Sequence, residues 1–135
     1  MKKWISLLLV LLLIGCKNQN VPKLYVFVNK TCGECQQLEK NFLPKVNDEN
    51  LEIILLDMDD KYNVEQYKEV LSSLENIDSS LYDQPITPFI YFENEFAAVG
   101  YHEVMDEVYL QLIDEALHQK EFSFIPSGVW IVKGE

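Results

Sequence analysis

The pattern of apolar and polar positions along the chain predicts strands and helices that follow one another. Leu24–Val28 is an apolar run of five residues, which indicates a strand buried on both faces. A second, largely apolar run at Leu51–Leu56 predicts another buried strand. Between them, apolar residues recur at helical spacing over Gln36–Val46. Pro44 should kink or end that helix early, because proline cannot donate the next backbone hydrogen bond.

The second half of the chain continues this pattern. The apolar positions predict an amphipathic helix over Val64–Ile77, followed by a loop over Ile77–Gln84. Two four-residue apolar runs, Phe89–Phe92 and Phe96–Val99, stand on either side of Glu93-Asn94-Glu95 and predict a β-hairpin.

The last part of the chain predicts one further helix and one further hairpin. Glu107–Gln119 has one apolar face, with Asp106 as a candidate N-cap. Phe122–Ile125 and Val129–Val132 lie around a proline and glycine turn and predict an added C-terminal β-hairpin. The predicted fold class is α/β, with a central mixed sheet flanked by helices.

Composition and charge limit the class of protein. The 135 residues are 48% hydrophobic and 24% charged, which suits one small globular domain. The formal net charge is −11, and every basic residue is lysine. So acidic a surface repels nucleic acid and anionic lipid headgroups, so we expect neither as a ligand. Nothing in the sequence indicates oligomerisation, and a monomer is the default expectation.

The N-terminal segment differs from the rest of the chain. A basic start precedes the apolar run Trp4–Ile14, whose eleven residues span only about 16 Å as a helix, against about 30 Å for a bilayer core. The run ends in Leu13-Ile14-Gly15-Cys16, which resembles the bacterial lipobox. The resemblance implies that residues 1–15 are a signal peptide and that lipidated Cys16 begins a linker over residues 16–22. The protein would then be held at the extracytoplasmic face of the cell membrane. An uncleaved anchor and an ordinary secretory cut are the alternatives.

The candidate chemistry lies in Cys32-Gly33-Glu34-Cys35, where the first strand gives way to the first helix. A helix start stabilises a thiolate, and two cysteines at this spacing can form a ring in which Cys32 attacks a disulfide and Cys35 resolves it. Lys30 is expected to lower the pKa of the attacking thiol and Glu34 to oppose that shift. Glu34 therefore favours a reductant or a moderate potential.

A structural disulfide and a zinc site are the alternatives to redox chemistry. A ring this small stabilises a fold by roughly 2 kcal/mol, against about 4.7 kcal/mol for a hundred-residue loop. A closed zinc site needs four ligands, and beyond the pair the chain offers only His102 and His118, both predicted to face solvent. The sequence therefore favours thiol–disulfide exchange and predicts neither a metal nor a cofactor.

The order of these motifs resembles the thioredoxin-like family. A strand, the Cys32-x-x-Cys35 pair, a helix, a second strand and Thr87-Pro88 ahead of an apolar strand follow one another within residues 23–120. The resemblance implies that Pro88 is cis and faces the cysteines, that Thr87 and Pro88 form a platform for the substrate chain, and that Gly100 lets that chain approach closely. Residues 121–135 would be an extension.

Two functions are compatible with this resemblance. The first is an extracytoplasmic thiol–disulfide oxidoreductase that exchanges disulfides with exported proteins through Cys32 and Cys35. The alternative is a non-catalytic accessory or binding lipoprotein, resembling bacteriocin-transport accessory proteins or acting in cytochrome assembly. The long connection from Asp60 to Pro88 and an aromatic docking surface formed by Phe124 and Trp130 would support the alternative.

Overall fold

A computed structural model describes residues 20–46 and 50–134. It contains a five-stranded sheet made of β1 Lys23–Val28, β2 Glu52–Asp57, β3 Phe89–Phe92, β4 Phe96–Val99 and β5 Val129–Ile131. The strand order is β2-β1-β3-β4-β5, with β1 and β2 parallel and all other neighbours antiparallel. The prediction of an α/β fold with a mixed sheet is therefore confirmed.

The predicted signal peptide and the lipobox cysteine Cys16 lie outside the described residues. Within residues 20–46 and 50–134, no helix has the length and hydrophobicity that a bilayer-spanning segment requires.

The helix that follows β1 changes its hydrogen bonding twice. We call residues 33–46 the cysteine helix; it begins as α1 Gly33–Gln37, continues as a π turn over Leu38–Phe42, and ends as a 3₁₀ turn over Leu43–Val46. Pro44 lies in the last turn, where it has no N–H group for an α-helical bond. The predicted early end of regular α-helix is confirmed.

The remaining helices are α2 Lys61–Ser73, α3 Ser80–Asp83 and α4 Asp106–Leu117, the last preceded by a 3₁₀ turn over Glu103–Met105. Asp60 caps α2 by accepting the Tyr62 N–H at 2.8 Å. The predicted loop over Ile77–Gln84 thus contains the short helix α3, which forms because its Leu81 is buried against the core.

Helices cover both faces of the sheet. The cysteine helix and α4 cover what we call the first face, where the core contains Leu24, Val26, Leu38, Phe42, Tyr101, Tyr109 and Leu112. The helices α2 and α3 cover the second face, where the core contains Phe27, Tyr67, Leu71, Leu81 and Phe89. Strand β1 contributes to both cores, which confirms the prediction that it is buried on both faces.

The prediction that the second strand is buried is wrong. Strand β2 lies at the edge of the sheet, beyond full cover by the helices, and its Leu55 is about half exposed (48%). The hairpin of β3 and β4 is confirmed, since Phe92 pairs with Phe96 across a three-residue turn. Asn94 takes the left-handed conformation in that turn, at φ 63°.

The predicted C-terminal hairpin is also wrong. Only Val129–Ile131 forms a strand, and it pairs with β4 rather than with Phe122–Ile125. The Phe122 ring instead packs edge-on against Phe96, with centroids 5.7 Å apart. The Ser123 hydroxyl donates to the buried Glu115 carboxylate at 2.6 Å. These contacts fix the segment before β5 against α4.

The outer side of β5 is closed by the chain that follows α2. The Glu75 N–H donates to the Ile131 carbonyl at 2.9 Å, and the Lys133 N–H donates to the Ser73 carbonyl at 2.8 Å. Trp130 stacks on Phe89, with ring centroids 6.4 Å apart. Trp130 therefore belongs largely to the second face, and the predicted docking surface loses one of its two aromatic residues.

Candidate redox site

The candidate site contains a disulfide between Cys32 and Cys35 at the start of the cysteine helix. Cys32 occupies the N-cap with extended backbone, and its Sγ accepts the Cys35 N–H at 3.1 Å. Cys35 is only 1% exposed, whereas Cys32 is partly exposed. An incoming group can therefore reach the sulfur of Cys32 but not that of Cys35.

The turn that presents Cys32 is shaped by Asn29. The Asn29 side-chain oxygen accepts both the N–H and the hydroxyl of Thr31 at 3.1 Å, and its backbone carbonyl accepts the Cys32 N–H at 3.1 Å. Asparagine directly after a strand is a recognised turn signal, and sequence reasoning missed the positioning role of Asn29.

Of the three predicted substrate-binding residues, Thr87 lies beside the disulfide, and Pro88 and Gly100 are hydrogen-bonded to each other. The Thr87 carbonyl oxygen is 3.4 Å from the Sγ of Cys32, and the Thr87–Pro88 peptide bond is cis, as the resemblance implies. The Gly100 N–H donates to the Pro88 carbonyl at 2.8 Å. Gly100 has φ 79°, a conformation that favours glycine. The fold therefore brings Thr87, Pro88 and Gly100 to the end of the sheet that carries the cysteines.

Glu34 connects the first turn of the cysteine helix to the loop that follows β4. One of its carboxylate oxygens, Oε2, accepts the Tyr101 N–H at 3.3 Å, and the other, Oε1, lies 3.6 Å from the Nε2 of His102. The side chain of Glu34 is 43% exposed and that of His102 is 69% exposed. His102 faces solvent as predicted, but sequence reasoning missed that it borders the site.

Lys30 pairs with the end of β2. Its Nζ lies 3.4 Å from the Oδ2 of Asp57, and no hydrogen bond or ion pair joins Lys30 to either cysteine in the described part of the chain. The pKa of Asp57 is lowered chiefly by the Asp59 N–H, with a further contribution from Lys30. The expected effect of Lys30 on the pKa of the Cys32 thiol stays a prediction.

A buried carboxylate holds the loop after β4 from below. The Tyr101 hydroxyl donates to the Oδ1 of Asp106 at 2.7 Å, and the Nζ of Lys45 lies 2.5 Å from Oδ2. These two hydrogen bonds lower the pKa of Asp106, which is 7% exposed. Burial, together with Asp106, raises the pKa of Tyr101 to about 12. Asp106 begins α4 and is not its N-cap, so that prediction is wrong.

Tyr109 of α4 holds the same loop at its start. Its hydroxyl donates to the Gly100 carbonyl at 2.8 Å and also contacts the Val99 carbonyl at 3.3 Å. Burial raises the pKa of Tyr109, and the charge of Glu34 adds to that shift. The loop is therefore fixed by the cysteine helix, by β3 and by α4. No sequence spacing indicated these contacts.

One open cavity of about 860 Å³ lies away from the cysteines. It is lined by residues from the start of β1, the β3–β4 turn and the end of α4, including Lys23, Glu93 and Gln119. Within residues 20–46 and 50–134, no group of three or more histidine, cysteine, aspartate or glutamate side chains is arranged to hold a metal ion.

We compared the chain with protein-family models, with curated proteins and with solved structures, and none of the three comparisons gave a match.

Proposed function

We propose that this protein is a thiol–disulfide oxidoreductase with a thioredoxin-like fold. The observation that carries the proposal is the position of the disulfide: a reachable Cys32 and a buried Cys35 at a helix start, with the Thr87 carbonyl 3.4 Å from the outer sulfur. A disulfide with only a structural role has no need of an exposed sulfur, whereas exchange chemistry requires one. The ordered set of motifs within residues 23–120 supports the same proposal.

The proposed chemistry begins from the reduced pair. The Cys32 thiolate attacks a substrate disulfide, forms a mixed disulfide, and releases one substrate sulfur as a thiolate. Deprotonated Cys35 then attacks the Cys32 sulfur and releases the second substrate thiolate. Two electrons pass from the pair to the substrate, and the Cys32–Cys35 disulfide results. Oxidation of a substrate dithiol is the same sequence in reverse.

The substrates that we propose are exported proteins. An extended substrate chain would lie along Thr87 and Pro88 and pair with their backbone, with Gly100 on the other side of its path. Lipidation at Cys16 would hold the protein at the extracytoplasmic face of the membrane, where disulfides form and persist. The lipobox-like sequence supports this location.

The reduction potential of the Cys32–Cys35 pair tests the proposal. The full chain in non-ionic detergent is equilibrated with graded glutathione buffers, and its thiols are then counted by alkylation. We expect a potential between about −270 mV, typical of a reductant, and about −120 mV, typical of an oxidant. A potential well below about −300 mV would indicate a structural disulfide and would contradict the proposal.

Two cysteine variants complete the test. We expect Cys32→Ser to lose all exchange with a model protein disulfide. We expect Cys35→Ser to accumulate the mixed disulfide with substrate, since the resolving thiol is missing. A Cys32→Ser variant that retains the cellular role of the protein would favour the accessory, non-catalytic function instead.

A further inference from the structure

The Glu34 carboxylate occupies the approach to Gly100. A Cβ atom built on Gly100 would have the Oε2 of Glu34 as its nearest neighbour, at 3.8 Å. The same oxygen accepts the Tyr101 N–H, the backbone donor next to Gly100. A substrate chain that passes over Gly100 toward the outer sulfur must therefore meet this carboxylate.

The two lysines near the site, Lys30 and Lys45, pair with other carboxylates and not with Glu34. Lys30 pairs with Asp57 at the end of β2, and Lys45 pairs with Asp106 beneath the loop. The groups that face Glu34 are His102 and the Tyr101 backbone from the loop, Tyr109 from α4, and the cysteines of its own turn. Of these, His102 is the one basic side chain, and its Nε2 lies 3.6 Å from the Oε1 of Glu34.

We propose that Glu34 determines the specificity of the site and selects polypeptide disulfides that carry a lysine or arginine beside the reacting cysteine. This inference rests on the proposed function. A basic side chain can pair with the Glu34 carboxylate as the substrate chain enters, whereas an acidic one is repelled. When Glu34 turns toward the substrate, a carbonyl of the entering chain can accept the Tyr101 N–H that Glu34 releases.

Three model peptides test this selection. They are identical except for Lys, Gln or Glu beside a single cysteine, which each peptide carries as a mixed disulfide with uncharged 2-mercaptoethanol. The reduced full chain in non-ionic detergent reacts with each at about pH 8. At low salt we expect the Lys peptide to react about threefold faster than the Gln peptide and about tenfold faster than the Glu peptide. High salt should reduce both ratios.

Glu34→Gln is the decisive variant. We expect it to react with all three peptides at rates within about twofold of one another, because the selecting charge is gone while the side-chain shape is kept. Glu39→Gln is the matched control, since it removes an exposed carboxylate further along the cysteine helix and should keep the wild-type order. A uniform rate change in Glu34→Gln reports on thiolate reactivity, so only the ratios test specificity.

His102 supplies a second readout. Its Nε2 lies 3.6 Å from the Oε1 of Glu34, and we expect His102→Gln, which keeps the Glu34 carboxylate, to retain the wild-type order of the three peptides. Two results would overturn the selection by Glu34. Either the Glu34→Gln variant still reacts fastest with the Lys peptide and slowest with the Glu peptide at low salt, or the wild type reacts with all three peptides at equal rates. Failure of every peptide to react would instead overturn the proposed function, and the selection with it.

Discussion

The two faces of the sheet bury aromatic side chains in similar ways but use their tyrosine hydroxyls differently. On the first face, the Phe42 ring lies 5.8 Å from the rings of both Tyr101 and Tyr109. On the second face, the Tyr67 ring lies 5.5 Å from Phe27 and 5.0 Å from Phe89. The hydroxyls of the first face bind Asp106, at the start of α4, and the Gly100 carbonyl, in the loop beside the disulfide. The Tyr67 hydroxyl instead binds the Leu81 carbonyl of α3, at 3.3 Å, and the backbone of Ile86.

This difference indicates a division of labour between the faces. The second face contributes stability mainly through apolar burial, and its tyrosine hydroxyls bind backbone or side-chain groups away from the cysteines, such as the Leu81 carbonyl of α3 and the Asn94 N–H of the β3–β4 turn. The first face combines burial with a polar network whose atoms continue into the loop that touches Glu34. Changes on the second face should therefore alter the stability of the fold alone, whereas polar changes on the first face should also alter exchange at Cys32.

The largest effect is expected from Tyr67→Ala on the second face. The side chain is fully buried, and its removal should lower the free energy of unfolding by about 3–5 kcal/mol, as for other large aromatic truncations. The reduction potential of the folded variant should stay at the wild-type value. Urea unfolding and the glutathione equilibration measure the two quantities.

The control for this variant is Tyr62→Ala on the same helix. Tyr62 is 72% exposed, so its loss should change the unfolding free energy by less than about 0.5 kcal/mol. If Tyr67→Ala shifted the reduction potential, the division between the two faces would be refuted.

A smaller effect that separates the faces more sharply is expected from two tyrosine-to-phenylalanine changes. Tyr101→Phe removes a 2.7 Å hydrogen bond to the Asp106 carboxylate, and bonds to charged groups contribute about 1.5–3 kcal/mol. Tyr67→Phe removes a longer bond between neutral groups, worth about 0.5–1.5 kcal/mol.

Exchange rates distinguish these two variants further. We expect Tyr101→Phe to slow the reaction of Cys32 with the Lys peptide severalfold, because the loop that carries the Glu34 contact loses one of its supports. Tyr67→Phe should react at the wild-type rate. Equal rates in both variants would show that the first-face network does not reach the site.

The sequence predicted the elements whose signal is local. Leu24–Val28 and the β3–β4 hairpin came from runs of neighbouring residues, and the structure has both. The exposure of β2 depends on its place at the sheet edge, which no local pattern reveals. Likewise β5 pairs with β4, about thirty residues earlier, while the predicted hairpin assumed a partner next to it in sequence. Pairing between distant segments was the step that sequence reasoning could not supply.

The site was predicted in the same uneven way. The spacing of Cys32 and Cys35 indicated the disulfide, and the resemblance indicated Thr87, which the fold brings to the outer sulfur. Lys30 was assigned to the cysteines because it is near them in the chain. The parallel pairing of β1 with β2 brings Asp57 to the same end of the sheet, where it binds Lys30. His102 was missed because its neighbour Glu34 is 68 residues away in sequence.

The smallest expected effect concerns the pH dependence of stability. Hydrogen bonds from Lys45 and Tyr101 lower the pKa of Asp106 in the folded state. A carboxyl whose pKa is lower in the folded state than in the unfolded state stabilises the fold at any pH above its unfolded-state pKa, which is about 4. This stabilisation is lost as the pH falls through the folded-state pKa. Asp106→Asn should therefore be less stable than the wild type at neutral pH, and the difference should narrow as the pH falls below about 4.

Asp78→Asn is the matched change beside the second face. The pKa of Asp78 is also lowered, chiefly by the Ser80 N–H, but this carboxylate is exposed and forms no ion pair within the described residues. Its loss should give a weaker dependence on pH, without any change in exchange at Cys32, whereas Asp106→Asn should slow exchange at neutral pH. Urea midpoints and peptide rates measured on both variants across this range decide the matter. Two variants with the same pH profile and the same rates would mean that the buried Asp106 carboxylate does no more for the site than an exposed turn carboxylate does.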